Sequence, residues 1–245
     1  MGETTAIGWT EKTWNPWHGC TKVSPGCKFC YMYRDKARYG QDPTQIVRSK
    51  TTFRAPLSWN DPAMVFTCSW SDFFIAEADA WRKDAWDIIR TTPHLTYQIL
   101  TKRPERIADH LPADWDRQDR WRHVWLGVSV ESAAYRWRLE KLLSIEAAVH
   151  FASFEPLLGD VGNVAEYLPH TKPPENCKHT KLRWAIIGGE SGSDRREMDM
   201  EAFESLLEQL RGFVPVYVKQ DSAQHSGQQG RIPNELWLKE FPKAA

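Results

Sequence analysis

Cys20, Cys27 and Cys30 crowd into eleven residues of the chain, six residues separating the first two and two the last pair. Thiols spaced this closely point to metal ligation more than to a disulfide framework. Three thiolates can hold three irons of a four-iron cluster and leave the fourth iron open to an outside ligand. A chelating amino acid, such as the methionine part of S-adenosylmethionine, requires that opening. Ser24-Pro25-Gly26 favours a turn that folds the loop back on itself. Phe29, immediately before the last cysteine, offers a ring on which an adenine can stack. Two other readings stand beside the cluster. His18 lies two residues before Cys20, so a tetrahedral zinc site of His18, Cys20, Cys27 and Cys30 is chemically reasonable. A structural zinc site usually adds a second cysteine pair, and none follows. Free thiols are the third reading. Cys68, inside an apolar run, reads as a small buried hydrophobe, and Cys177 as a loop thiol.

The elements that must position these groups follow from periodicity. Short β-branched or aromatic runs at Val65–Ser69, Thr96–Thr101, Val124–Ser129, Val149–Ser153, Leu182–Ile187 and Val214–Lys219 alternate with helical patterns. Phe203, Leu206, Leu207 and Leu210 share one helix face, as do Trp81, Ala85, Ile88 and Ile89, and more loosely Tyr135, Leu139 and Leu142. With a first strand near Thr13–Trp17 this predicts about seven βα units of an α/β protein, closed as a full or partial (β/α) barrel. Nearly every run ends in polar, charged or glycine residues: Ser69 to Asp72, Lys102 and Arg103, Ser129 and Glu131, Glu155, Gly188 to Ser191, and Lys219 to Asp221. In parallel α/β folds the site lies at the carboxyl ends of the strands. Polar loops and helix caps explain any one such residue equally well, but Lys102, Glu131, Glu155, Glu190 and Lys219 are poor capping residues.

Composition narrows the function classes. Lys+Arg and Asp+Glu are both 32, giving zero formal net charge, whereas a protein gripping duplex nucleic acid along a broad face carries a basic excess. Any such contact must be local. Of the 13 tryptophans most are expected in the core, some lining a pocket for a flat ligand. No apolar run approaches the roughly 20 residues that span a bilayer. Met1–Thr10 has neither a basic start nor a hydrophobic stretch, and Ala6 stands where an acylation signal after Gly2 wants Ser or Thr. The expected compartment is the cytoplasm, with no membrane partner. No boundary divides residues 1–245, so one barrel domain is expected, its cysteine loop at 18–31. Pro169–Lys181 reads as an excursion between strands, and the Gln- and Gly-rich Asp221–Arg231 as a flexible loop.

The strings Trp14-Asn15-Pro16, Gly19-Cys20-Thr21-Lys22-Val23-Ser24-Pro25-Gly26-Cys27 and Cys30-Tyr31 resemble the signature of a phage- and prophage-encoded three-cysteine-motif family of unknown function that is radical-SAM-like. Leu100 to Pro104, Leu126 to Glu131, Glu155 to Gly159, Gly188 to Gly192 and Val218 to Gln220 agree with it, so the resemblance runs from about Ile7 to Lys219 and beyond. It implies a radical-SAM-like barrel carrying a 4Fe-4S cluster and S-adenosylmethionine, with an external electron donor. The commonest radical-SAM motif has three residues, not six, between the first two cysteines. Its Gly-Gly-Glu also follows the second strand, whereas here Gly188-Gly189-Glu190 comes far later.

The resulting expectation is an iron–sulfur enzyme that reductively cleaves S-adenosylmethionine to start radical chemistry, a nucleotide or nucleic acid being the candidate substrate. Cys20, Cys27 and Cys30 would bind iron. Phe29, Ser69, Asp72, Ser129, Glu131, Gly189 and Glu190 would line the cofactor, and Lys102, Glu155 and Lys219 would touch substrate or move protons. Alternatively, Lys102–Glu155-type ion pairs only knit the loops. The rival function is a zinc- or cluster-containing nucleic-acid-binding protein without radical chemistry, supported by Arg34-Lys36-Arg38, Arg117-Arg120-Arg122 and the aromatics. Charges at such helical spacing more often form a solvated face.

Overall fold

The computed structural model of the chain describes residues 5–169 and 181–243. Seven strands form one parallel sheet in simple chain order: β1 (Lys12–Trp14), β2 (Ala63–Thr67), β3 (Leu95–Thr101), β4 (Val124–Ser129), β5 (Val149–Phe154), β6 (Trp184–Gly188) and β7 (Val216–Gln220). Each pairs with the next, Lys12 opposite Val65 and Phe151 opposite Trp184, for example. The helices are α1 (Tyr31–Arg38), α2 (Asp79–Thr91), α3 (Gln118–Trp121), α4 (Trp137–Leu143) and α5 (Met200–Leu210). Parallel neighbours joined in sequence by crossovers of one hand curl the sheet one way. The result is a half-barrel, the partial closure anticipated above.

Period-two alternation gives the sheet two apolar faces. Val65, Ile99, Val128, Phe154, Ile187 and Val218 pack with Trp86 and Ile89 of α2, Leu139 and Leu142 of α4, and Phe203 and Leu206 of α5. The concave side holds Phe66, Trp125, Phe151, Trp184, Ile186 and Tyr217, with Trp9 from the segment before β1 packed among them. The Trp9 ring lies 4.6 Å from Phe66 and 6.1 Å from Trp184. Burying each such ring contributes up to about 3 kcal/mol, which fills the half-barrel without an eighth strand. Trp9, Trp14, Trp17, Trp86, Trp115, Trp121, Trp125 and Trp184 are all buried, so the tryptophans chiefly build core. The free edge of β7 is covered by the C-terminal segment: Val218 N donates to Leu238 O at 2.9 Å and Glu240 N to Val216 O at 3.0 Å. Among the described residues no helix is long and apolar enough to cross a membrane.

Several expectations need correction. Cys68 does not lie in a strand. It follows β2 with φ +63°, and this left-handed residue ends the strand before Ser69, although Cys68 is buried as expected. Leu182 is bonded to the preceding loop, its N donating to Tyr167 O at 2.9 Å, and Val214 to the end of α5, its N donating to Leu210 O at 3.2 Å; neither begins its strand. Trp17 lies beyond β1 in an antiparallel ribbon, Trp17–His18 with Val47–Arg48. Lys36 is buried at 2% exposure rather than on a solvated face, because α1 is packed against the 39–45 turn, where Lys36 Nζ donates to Asp42 O at 3.5 Å. The 221–231 loop is stapled, not loose: Asp221 N donates to Gln228 O at 2.9 Å, and Arg231 grips the Asp221 carboxylate. Residues 170–180 of the excursion, Cys177 included, lie outside the described residues.

Candidate metal and cofactor site

The cysteine loop reaches the carboxyl edge of the sheet because it follows β1 and is tied back to the end of β2. Asn15 is the tie. Its Oδ1 accepts from Trp70 N at 2.8 Å, its Nδ2 donates to Ser69 Oγ at 3.0 Å, and its carbonyl accepts from Ser49 Oγ at 2.6 Å. Cys20 N then donates to Pro43 O at 2.9 Å. Arg103, at the end of β3, donates to Thr21 O at 2.9 Å and Thr21 Oγ1 at 2.8 Å, and its Nη1 stands 3.8 Å from Cys20 Sγ. Ser24-Pro25-Gly26 makes the turn expected of it, a single 3-10 turn over Pro25–Cys27. Cys30 sits at the N-cap position of α1.

The thiols occupy a dry environment. Cys27 is buried and Cys20 and Cys30 are half-buried. Burial pushes the Cys20 thiol up to about 12, with the Asp72 carboxylate adding to it and Arg103 opposing. Burial also raises Cys30, partly offset by the peptide N–H groups of Met32 and Tyr33. Burial raises the Tyr33 hydroxyl to about 12, and all three thiols act on it in the same direction. All three thiols thus lie within electrostatic reach of the Tyr33 hydroxyl. Among the described residues no three His, Cys, Asp or Glu side chains converge on a single-ion site.

The strand-end residues gather at the same mouth, and their carboxylates are already paired. Asp72, 5% exposed, accepts from Thr101 Oγ1 at 2.7 Å, Phe74 N at 2.9 Å and Lys102 N at 2.9 Å, and pairs with Arg103 at 3.1 Å. Glu131 is fully buried. Its Oε1 accepts from Ser24 Oγ at 2.6 Å and Lys102 Nζ at 2.5 Å, its Oε2 from Arg138 Nη1 at 2.9 Å. Burial alone would raise the Glu131 carboxyl; Lys102, Arg138 and Ser24 together outweigh it and hold it below the ordinary value. Lys102 thus pairs with Glu131, and Glu155 pairs with Lys219, a different pairing from the Lys102–Glu155 type. Glu190 accepts from Arg196 N at 2.8 Å and Nε at 3.0 Å, and the same guanidinium donates to Pro25 O at 2.9 Å. Ser129 O accepts from Arg138 Nη1 at 2.8 Å. Gly189 exchanges bonds with Gln220, its N donating to Gln220 O at 3.0 Å and its O accepting from Gln220 Nε2 at 2.7 Å. Phe29 is half-buried at the rim, with Lys28 Nζ 4.9 Å and the Arg196 guanidinium 5.4 Å from its ring centroid.

Comparison with known proteins adds one match. The model of a family described as "Protein of unknown function (DUF5131)" matches residues 4–236. The chain belongs to that family. No curated protein and no solved structure matches it. In this DUF5131 chain the matched span includes the cysteine loop and all seven strands.

The site residues that sequence reasoning missed are mostly arginines. Arg103, Arg138 and Arg196 neutralise Asp72, Glu131 and Glu190, and Ser24 and Tyr31 tie the loop to Glu131 and to Ser69 O. Arg103 and Arg196 each had a signal, standing beside Lys102 and six residues after Glu190. Arg138 had none, because an arginine on an amphipathic helix reads as solvent-facing until its burial is known. The Arg117, Arg120 and Arg122 group precedes β4, at the sheet edge opposite the cysteines, and Arg120 there pairs with Asp114 at 3.3 Å.

Proposed function

We propose that the chain is an iron–sulfur enzyme that cleaves S-adenosylmethionine reductively to start radical chemistry. The observation that carries this reading is the state of the donors at the mouth. Asp72, Glu131, Glu155 and Glu190 are each paired with a protein cation, which leaves the thiols of Cys20, Cys27 and Cys30 as the ligands for a metal, each giving up its proton on binding. Three thiolates fit a four-iron cluster with one open iron. When bound and reduced, such a cluster supplies the one electron that breaks the sulfonium carbon–sulfur bond.

The chain's own residues would do the rest. The turn at Pro25–Cys27 carries Cys27, the start of α1 carries Cys30, and the bonds from Arg103 to Thr21 fix the loop beside Cys20. Phe29 offers a ring face to the adenine, and Ser69, Ser129, Gly189 and the paired Asp72, Glu131 and Glu190 frame the cofactor. Lys219 and Glu155, bonded to each other and both part-exposed, stand where a substrate group can exchange a proton. Lys102 holds Glu131 against the loop. The electron comes from an external donor. A second reading, a zinc site in a nucleic-acid-binding protein, has one observation in its favour: Nδ1 of His18 is buried without a hydrogen-bond partner, two residues from Cys20.

Anaerobic reconstitution separates the two. The protein is expected to take up about four irons with sulfide and, once reduced by dithionite, to convert S-adenosylmethionine into 5′-deoxyadenosine and methionine. Cys27→Ala should do neither, whereas Cys68→Ala should do both. Stoichiometric zinc without iron uptake, or a loaded reducible cluster that leaves S-adenosylmethionine intact, overturns the proposal.

A further inference from the structure

Beside the cysteine loop lies a cavity of about 260 Å³ that shares Cys30 and Phe29 with the mouth. Its walls come from two segments, Lys28 to Arg34 of the loop and α1, and Ser191 to Arg195 of the turn that follows β6. Three cationic side chains, Lys28, Arg34 and Arg195, line it against one carboxylate, Asp194. The ion pairs of the two arginines are long, Arg34 to Asp35 at 3.6 Å and Arg195 to Glu197 at 4.0 Å, and Arg34 Nη1 also donates to Ser191 O at 3.4 Å. This contrasts with Arg103, Arg138 and Arg196, whose guanidiniums are committed to buried carboxylates. The Nε of Arg195 is closed off from solvent and has no hydrogen-bond partner. The side chain as a whole is 27% exposed, and its Nη1 donates to Gly192 O at 3.1 Å. The hydroxyls of Ser191 and Ser193 and the ring of Phe29 complete the lining.

We propose that this cavity binds a phosphate ester of the substrate. Guanidiniums match the tetrahedral oxyanion with forked donors, and serine hydroxyls add neutral donors. The volume suits a phosphorylated sugar more than a whole drug-sized ligand, whose pockets begin at about 300 Å³. Cys30 is among the lining residues, so the anchored phosphate sets the rest of the substrate beside the cysteine loop. The placement rests on the function proposed above; the binding itself does not.

The test therefore omits S-adenosylmethionine and reductant. Ribose 5-phosphate, ribose and a short single-stranded oligothymidylate are titrated against the full chain by calorimetry. Ribose 5-phosphate should bind saturably and ribose should not. Ser193→Asp puts a second carboxylate on an exposed rim position without touching the core, and should weaken ribose 5-phosphate at least about tenfold; Arg34→Gln should weaken it in the same direction. Oligothymidylate binding more tightly than ribose 5-phosphate, and competing with it, assigns the phosphate to a nucleic-acid strand. The reverse order assigns it to a free nucleotide or sugar phosphate. Equal affinity for ribose and ribose 5-phosphate, or a Ser193→Asp protein that binds as the parent does, overturns the inference. Neither of those results bears on cleavage of S-adenosylmethionine, which is read separately.

Discussion

At the scale of single residues, this chain settles buried charge by pairing it. Glu131, Asp72 and Asp221 are each 5% exposed or less, and each is met by an arginine. Breaking such a pair leaves an uncompensated charge in a poor dielectric. Asp221 lies away from the cysteines and tests the principle cleanly. Its Oδ1 accepts from Arg231 Nη2 at 2.7 Å and Ser222 N at 2.6 Å, and its Oδ2 from Arg231 N at 2.8 Å and Nε at 2.9 Å. Burial alone would raise the carboxyl, but these donors outweigh it and hold the group below the ordinary carboxylate value. A carboxylate whose folded value is depressed stabilises the fold above its unfolded value and loses that contribution as pH falls through the folded one. Asp221→Asn should therefore cost about 1–2 kcal/mol at neutral pH, the half-exposed Arg231 tempering the effect. The gap between parent and variant in urea unfolding should narrow below about pH 4. A gap that stays constant across that range would show that the charge contributes nothing.

At the scale of elements, the cysteine loop is held by its packing against the end of β4. A Cβ on Gly26 would lie 2.6 Å from Glu131 Cγ and Oε1. Glu131 cannot yield, since Ser24, Lys102 and Arg138 all hold it. Gly26→Ala must therefore push the loop outward while the sheet beneath stays packed. The expected result is poorer retention of iron after reconstitution, with a melting temperature within a few degrees of the parent, since the strain falls on the loop. A variant that holds iron as firmly as the parent would refute the close approach. Gly127 shows the same logic inside the sheet: its missing side chain makes room for the Phe151 ring, 2.4 Å from where a Cβ would stand.

For the molecule as a whole, the concave side is plugged by aromatic rings. Trp9, Phe66, Trp125, Phe151, Trp184 and Tyr217 fill it. Trp9 comes from outside the sheet, yet it is 2% exposed. Trp9→Ala should cost about 3–5 kcal/mol, the range for deleting a large buried ring, read as a lowered urea midpoint with an unchanged m-value. A cost below about 1 kcal/mol would mean that the half-barrel closes without its plug.

The amino-acid pattern by itself determined the βα rhythm, the helix faces of α2 and α5, and the gathering of cysteines and polar strand ends at one edge. Alternation and 3.6-residue spacing are local properties, and parallel strands must all end on the same side. Only the tertiary structure decided which charges are spent and which remain. Lys102 and Glu155 looked equally able to pair with each other, but neighbouring strand ends gave them Glu131 and Lys219 instead. Lys36 and Arg138 occupy positions that read as solvent until packing buries them. Arg34 and Arg195 are 161 residues apart in the chain and meet at one cavity only when the turn after β6 folds against α1. Ion-pair partners are set by the register of distant elements, and no local pattern encodes that register.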